Sequence, residues 1–206
     1  MLHTVHSFVR EHFVDMLDCF DIDKKWFYLS QKVTSFILVP GEVPPLRLCK
    51  HKNHIEKAMC LTAMTRLRQD PVTGVWWNGK IGTWFFVEQV PAKRTSKNQA
   101  AGTLETKSVS VGRKETKDMI IDNLFPAILG SWPAWEQMRI RIQLDNAPPH
   151  PKPGKLGKRI ADCRAEYSVV GWDIEFAMQP ANSPDLNTLD LAFFRAIQSL
   201  QYQKPA

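Results

Sequence analysis

RIRIQLDNAPPH, Arg139 to His150, is the stretch on which the fold turns. Ile140, Ile142 and Leu144 alternate with Arg139, Arg141 and Gln143, the period-two pattern of a strand, and that strand runs straight into Asp145. A carboxylate just past a buried strand stands where α/β sheets present their chemistry. Two more acidic islands share the pattern: QPANSPDLNTLD (Gln179 to Asp190), after the apolar run Trp172 to Met178, and DIDKKWF (Asp21 to Phe27), far upstream. Three such carboxylates gathered in space make a site for a divalent cation. In a basic chain that suggests phosphodiester chemistry on nucleic acid.

The chain has 206 residues, with 27 Lys and Arg against 21 Asp and Glu for a net charge of +6, which favours a polyanionic partner without proving one. Its 44% hydrophobic content, with 11 Phe and 7 Trp, is ample for one large core. No apolar run is long enough to span a bilayer. His3, His6, Arg10 and Glu11 interrupt the apolar residues that a signal peptide would need. A soluble intracellular protein with no membrane contact is therefore expected. Cys19, Cys49, Cys60 and Cys163 are irregularly spaced, and a chain of this length needs no disulfide staples, so all four read as reduced.

Along the chain, a short helix is expected from His12, then a strand through Cys19 to Leu29. Further strands are expected at Val33 to Val39, Ile55 to Met64 and Trp84 to Val90, with Asp70-Pro71 and Asn78-Gly79 marking a hairpin. Pro91 to Val111, polar and basic, reads as a mobile insertion. Lys114 to Leu129 and Leu156 to Tyr167 read as helices, and Trp172 to Met178 as a strand. A last helix carries Leu189, Phe193, Ile197 and Leu200 as its inward stripe, with Asp190 in its first turn. Strands first, then helix, strand, helix, strand, helix, fits an α/β mixed sheet flanked by helices. Ribonuclease H-like folds have this order.

DKKWFYL (Asp23 to Leu29), QLDNAPPH (Gln143 to His150) and QPANSPDLNTLDLAFFRAIQ (Gln179 to Gln198) resemble the signature elements of the mariner-type transposases, particularly the plant-like branch. KHKNHIEKAMCLTAM (Lys50 to Met64) and LFPAILGSWP (Leu124 to Pro133) look similar as well, so the resemblance covers nearly the whole chain. It implies a single ribonuclease H-like catalytic domain in which Asp23, Asp145 and Asp190 bind two Mg²⁺ or Mn²⁺ ions. It further implies endonuclease and strand-transfer chemistry on DNA at transposon terminal inverted repeats, a homodimer on DNA, and work in the nucleus. The spacing of the plant-like branch points instead to Asp185 as third acid. The family pattern, in which the ligand is the acid of the LD pair after SPDLN, selects Asp190, with the extra residues absorbed in the loop Pro151 to Lys158.

The chain departs from the pattern in places. Lys24 stands where the family has an acid, Asp21 where it usually has His, and Ala192 in place of Gly. There is no room before Asp23 for the helix-turn-helix domains that read transposon ends, and a terminal helical segment is missing, so a domain truncated at both ends is expected. The competing reading is an inactive or domesticated remnant that binds nucleic acid or a protein partner without cutting.

A lone Asp after a strand is commonly a turn former or cap, and only the three acids together reverse that reading. Lys152, Lys155, Lys158 and Arg159 follow the second acid and, with His150, are the candidates for contacting DNA phosphates; a His in a Pro-rich loop is as often merely solvated. Ser183 or Asn187 is expected to cap the last helix. Cys49, His51, His54 and Cys60 hint at zinc, but their spacing fits no standard knuckle. Arg47, Lys50, Lys52 and Lys57 read as a solvated basic face, one that is equally suited to contacting a nucleic-acid backbone. Trp76, Trp77, Trp84, Trp132 and Trp135 suit a core or a dimer contact better than base stacking.

Overall fold

The computed structural model describes residues 8–9, 12–13, 16–28, 39–43, 55–97, 99–145, 157–180 and 187–203. Two short strands, β1 (Phe8–Val9) and β2 (His12–Phe13), pair antiparallel ahead of the main sheet. The helix expected from His12 therefore begins as strand, in keeping with the extended preference of Phe and Val. The central strand, β3 (Cys19–Tyr28), pairs antiparallel with β4 (Lys57–Thr65). A small hairpin, β5 (Arg68–Gln69) and β6 (Trp76–Trp77), leads into β7 (Lys80–Phe85), which pairs antiparallel with β4. The hairpin turns where Asp70 was expected to turn it: its Oδ1 accepts the N–H groups of Val72 and Thr73 at 2.8 and 3.1 Å.

The single strand expected over Trp84 to Val90 is broken at Phe86. Phe86 is buried; its N–H still donates to Met59 O of β4, while its carbonyl accepts from Val109 N–H, and there the chain leaves the main sheet. It continues as β8 (Val87–Pro91), antiparallel to β9 (Leu104–Ser108). The polar stretch expected as a mobile insertion thus contains a hydrogen-bonded strand.

The helical region follows as α1 (Arg113–Met119), a π-helical turn over Ile120–Leu124, and α2 (Phe125–Ser131). Then come β10 (Arg139–Leu144), α3 (Lys158–Val169) and β11 (Asp173–Met178). A second π-helical turn, Leu189–Phe193, opens α4 (Phe194–Gln203). The main sheet is five-stranded in the order β11-β10-β3-β4-β7, with β3, β10 and β11 parallel. The expected mixed sheet flanked by helices is what forms. The strand expected at Val33 to Val39 lies, but for Val39, outside the described residues.

Side-chain alternation along β3 divides the interior in two. Phe20 and Ile22, with Leu61, Ala63, Ile140, Ile142 and Leu144, face the main core, closed by Ile120, Leu124, Phe125 and Ile128 of the first helical run and Ile160 of α3. On the opposite face Phe27 and Cys60 meet Leu189 and Phe194 in a smaller cluster. Arg68, buried to 6% exposure, is clamped between the rings of Trp77 and Trp132, each 4.9 Å from its guanidinium carbon, and bonded to Leu17 O and Glu136 at 2.6 and 3.0 Å. The tryptophans of this region thus serve packing, while Trp76 stands 63% exposed.

The stripe expected on the last helix is corrected by one residue. Phe194 N–H bonds to Leu189 O, a five-residue step, so the inward face passes from Leu189 to Phe194. Phe193 and Ile197 pack beside them, and Leu200 is left 62% exposed. Among the described residues no helix is long and apolar enough to cross a membrane.

Ile142→Ala, at the fully buried centre of β10, is expected to cost about 2–5 kcal/mol in urea unfolding. Leu200→Ala is expected to stay within about 0.5 kcal/mol of the parent. Equal effects at the two positions would contradict the one-residue shift of the α4 face.

Candidate metal centre

The parallel pairing of β3 with β10 runs as far as Ile22 opposite Leu144, and the next residue on each chain is Asp23 and Asp145. Two carboxylates far apart in sequence are thereby laid side by side by backbone register. Asp23 is 5% exposed. Its Oδ1 accepts the N–H of Lys24 at 2.6 Å and its Oδ2 accepts Nδ2 of Asn187 at 2.8 Å.

Asp190 reaches the same place from the π-helical turn ahead of α4. Asn187 Nδ2 also donates to Asp190 Oδ2 at 3.3 Å, Asn187 Oδ1 accepts the N–H of Asp190 at 3.1 Å, and Lys25 Nζ sits 2.8 Å from Asp190 Oδ1. Asn187 therefore caps the turn, as expected, and in addition bridges two of the three acids. Sequence reasoning assigned it the cap alone. Its position three residues before Asp190 signals the cap, whereas the contact with Asp23, 164 residues away in sequence, has no sequence signal.

The electrostatics show the same convergence. Burial pushes the Asp23 carboxyl above the usual carboxylate range; hydrogen bonds from Asn187 and the Lys24 N–H pull it down, while the fields of Asp190 and Asp145 push it further up. Lys24, which points to the other face and donates from Nζ to Thr116 Oγ1 at 3.2 Å, is lowered to about 8 by burial against the opposing pull of Asp145 and Asp23. The structure thus brings Asp145 and Asp190 within electrostatic reach of Asp23.

The donor set is all oxygen and all carboxylate, which suits a hard divalent cation. As the side chains stand, no group of three His, Cys, Asp or Glu among the described residues is in a metal-holding arrangement. The Lys25 ammonium and the Asn187 amide between them contact both oxygens of Asp190. The Lys25–Asp190 pair is half-exposed, worth on the order of 0–1 kcal/mol, and a divalent ion is a stronger competitor for that carboxylate.

His150, Lys152, Lys155 and Asp185 lie outside the described residues, as do Cys49, His51, His54, Arg47, Lys50 and Lys52. Lys158 is exposed at the start of α3. Arg159 forms ion pairs with Asp118 of α1 and with Asp122 at 3.6 Å, so part of its charge joins two helices. Lys57 stacks on Trp26, its Nζ 4.3 Å from the ring centroid. Cys60 is buried in the smaller core cluster, and Cys19, Cys60 and Cys163 are free thiols.

No protein-family model matches the sequence, and neither does any curated protein. Solved structures do match. The Mos1 mariner paired end complex with Mn is 18% identical over 97% of this chain with a TM-score of 0.52, and a pre-cleavage Mos1 transpososome is 17% identical over 90% with a TM-score of 0.51. The chain has the ribonuclease H-like fold of Mos1. It spans less than half the length of those Mos1 chains, 46% and 43%.

Because burial raises Asp23, the folded chain holds a proton there to a higher pH than the unfolded chain does. Its contribution to stability is fully present in acid, below the unfolded value near 3.9, and is lost as pH rises through the folded value. Asp23→Asn is therefore expected to melt above the parent at pH 7, with the difference closing toward pH 4. A midpoint difference that does not change with pH would show that burial is not straining this carboxylate.

Proposed function

We propose that this chain is a transposase catalytic domain, which hydrolyses DNA phosphodiesters at transposon ends with a divalent metal and then transfers the strand. The observation that carries the reading is the meeting of Asp23, Asp145 and Asp190: two are fixed by parallel register and the third is bridged to the first by Asn187. The fold it shares with Mos1, solved in a paired end complex with Mn, supports the same assignment. The plant-like motifs and the choice of Asp190 over Asp185 rest on the resemblance of QPANSPDLNTLD to the family pattern.

Asp23, Asp145 and Asp190 would hold Mg²⁺ or Mn²⁺, two ions by family likeness. Bound there, the ions would lower the pKa of a water and offset the charge that builds on the leaving oxygen of an in-line displacement. The residues of this chain do the rest. The three carboxylates gather negative charge that Lys25 offsets only at Asp190, and a divalent cation would relieve it further. Asn187 keeps Asp23 and Asp190 aligned while their other lone pairs remain for a metal. The water oxygen bonds to phosphorus, the bond from phosphorus to the 3′-oxygen breaks, and that oxygen leaves as the 3′-hydroxyl. In strand transfer this hydroxyl makes the same attack on a target phosphodiester. Lys158, Arg159 and, from the adjoining loop, Lys152, Lys155 and His150 would contact phosphates; DNA with terminal inverted repeats, a homodimer on that DNA and the nucleus complete the reading.

The test is a plasmid-nicking assay in Mn²⁺ with the chain and with Asp145→Asn. Metal-dependent nicking is expected from the parent and a loss of about 10²-fold or more from the variant, the scale on which a group holding a catalytic metal contributes. No metal-dependent product from the parent would remove the enzyme reading and leave the binding remnant in its place.

A further inference from the structure

Asp21 precedes Asp23 by two residues in β3, so strand alternation puts both carboxylates on one face. A second acid so near a metal ligand is either a further oxygen donor or a fixed acceptor for something else. Both of its oxygens are engaged. Oδ2 accepts the Thr188 hydroxyl at 2.6 Å, and Oδ1 accepts Nε2 of Gln143 at 3.2 Å. Gln143 is buried, and its amide is oriented by Cys19, whose thiol donates to Gln143 Oε1 at 3.9 Å. Burial holds that thiol up at about 12, so it stays protonated and remains a donor. The result is a line of hydrogen bonds from Cys19 through Gln143 and Asp21 to Thr188, joining β3 and β10 to the residue just before the turn Leu189–Phe193.

Leu189 and Phe194 seat the helix on Phe27 and Cys60 through apolar contact, which is non-directional. Asn187 ties the start of the turn to Asp23 and Lys25 reaches Asp190, and the Thr188 hydroxyl adds a further directional bond from the turn to β3. A short hydroxyl-to-carboxylate hydrogen bond is directional and among the stronger kinds. We infer that Asp21 is a positioning residue: by holding Thr188 it fixes the rotation of the turn that carries Asp190, and with it the distance from the third acid to Asp23 and Asp145. The inference rests on the metal-holding reading of those three acids for its consequence, though not for the strut itself.

The full chain is compared with Thr188→Val, which keeps the shape and removes the donor, with Thr188→Ser, which restores it, and with Asp21→Asn, which keeps an acceptor oxygen. Two readouts are taken: amide hydrogen exchange over residues 187–193, and Mn²⁺ titration followed by electron paramagnetic resonance, with thermal midpoints as control. In Thr188→Val, exchange in 187–193 is expected to rise and Mn²⁺ affinity to fall, each about tenfold, with β3 and β10 amides and the midpoint unmoved. Thr188→Ser is expected to recover both, and Asp21→Asn to keep the parent's Mn²⁺ stoichiometry. Unchanged exchange in Thr188→Val overturns the strut. A lower Mn²⁺ stoichiometry in Asp21→Asn overturns it too, making Asp21 a ligand. If the parent binds no Mn²⁺ while exchange still responds to Thr188→Val and Thr188→Ser, the strut stands and the metal reading is what falls.

Discussion

Everything at the proposed centre depends on the pairing of Ile22 with Leu144. Parallel strands bond at a fixed register, and a slip of one residue would turn every side chain of β10 to the opposite face. That register is enforced by burial: Phe20, Ile22, Ile140, Ile142 and Leu144 interlock on one face under the first helical run. The core thus specifies the neighbours Asp23 and Asp145 indirectly. Neither carboxylate attracts the other, and both are held in place by apolar residues that precede them.

The third acid is placed by different means. It belongs to an element that touches β3 through a small apolar cluster and a few polar bonds, on the face away from the main core. Two acids are therefore built into the rigid sheet and one is delivered by a helix. Lys24 and Lys25 divide between the faces in the same way, Lys24 toward Thr116 and Lys25 toward Asp190. Adjacent residues in a strand must point apart, so one dipeptide supplies positive charge to both sides of the acids.

Much of this was legible in the sequence. Ile140, Ile142 and Leu144 announced a strand by alternation, and the strand led to Asp145 without any structural knowledge. The order of the elements, and the last helix with an acid in its first turn, were readable on the same grounds. The misreadings have separate causes. Phe86 breaks an apolar run that looks continuous: its N–H still bonds to Met59 of β4, but its carbonyl turns to Val109, just past β9. Phe194 displaces Leu200 from the inward face, because a π-helical turn changes the period that a stripe of Leu and Phe is read with. β9 is polar and largely exposed, so its pairing with β8 leaves no hydrophobic signature. The bridging of Asp23 and Asp190 by Asn187 was equally silent, since a side chain's second contact depends on what the fold sets opposite it.

The wide turn at Leu189–Phe193 also bears on how the proposed centre is assembled. It departs from the four-residue ladder that follows, the kind of local break that is frequent at functional sites, and it carries Asp190. Under the proposed function an ion would meet two carboxylates carried by strands and a third carried by a helix, so the spacing of the centre would be set jointly by sheet register and by the seat of one turn.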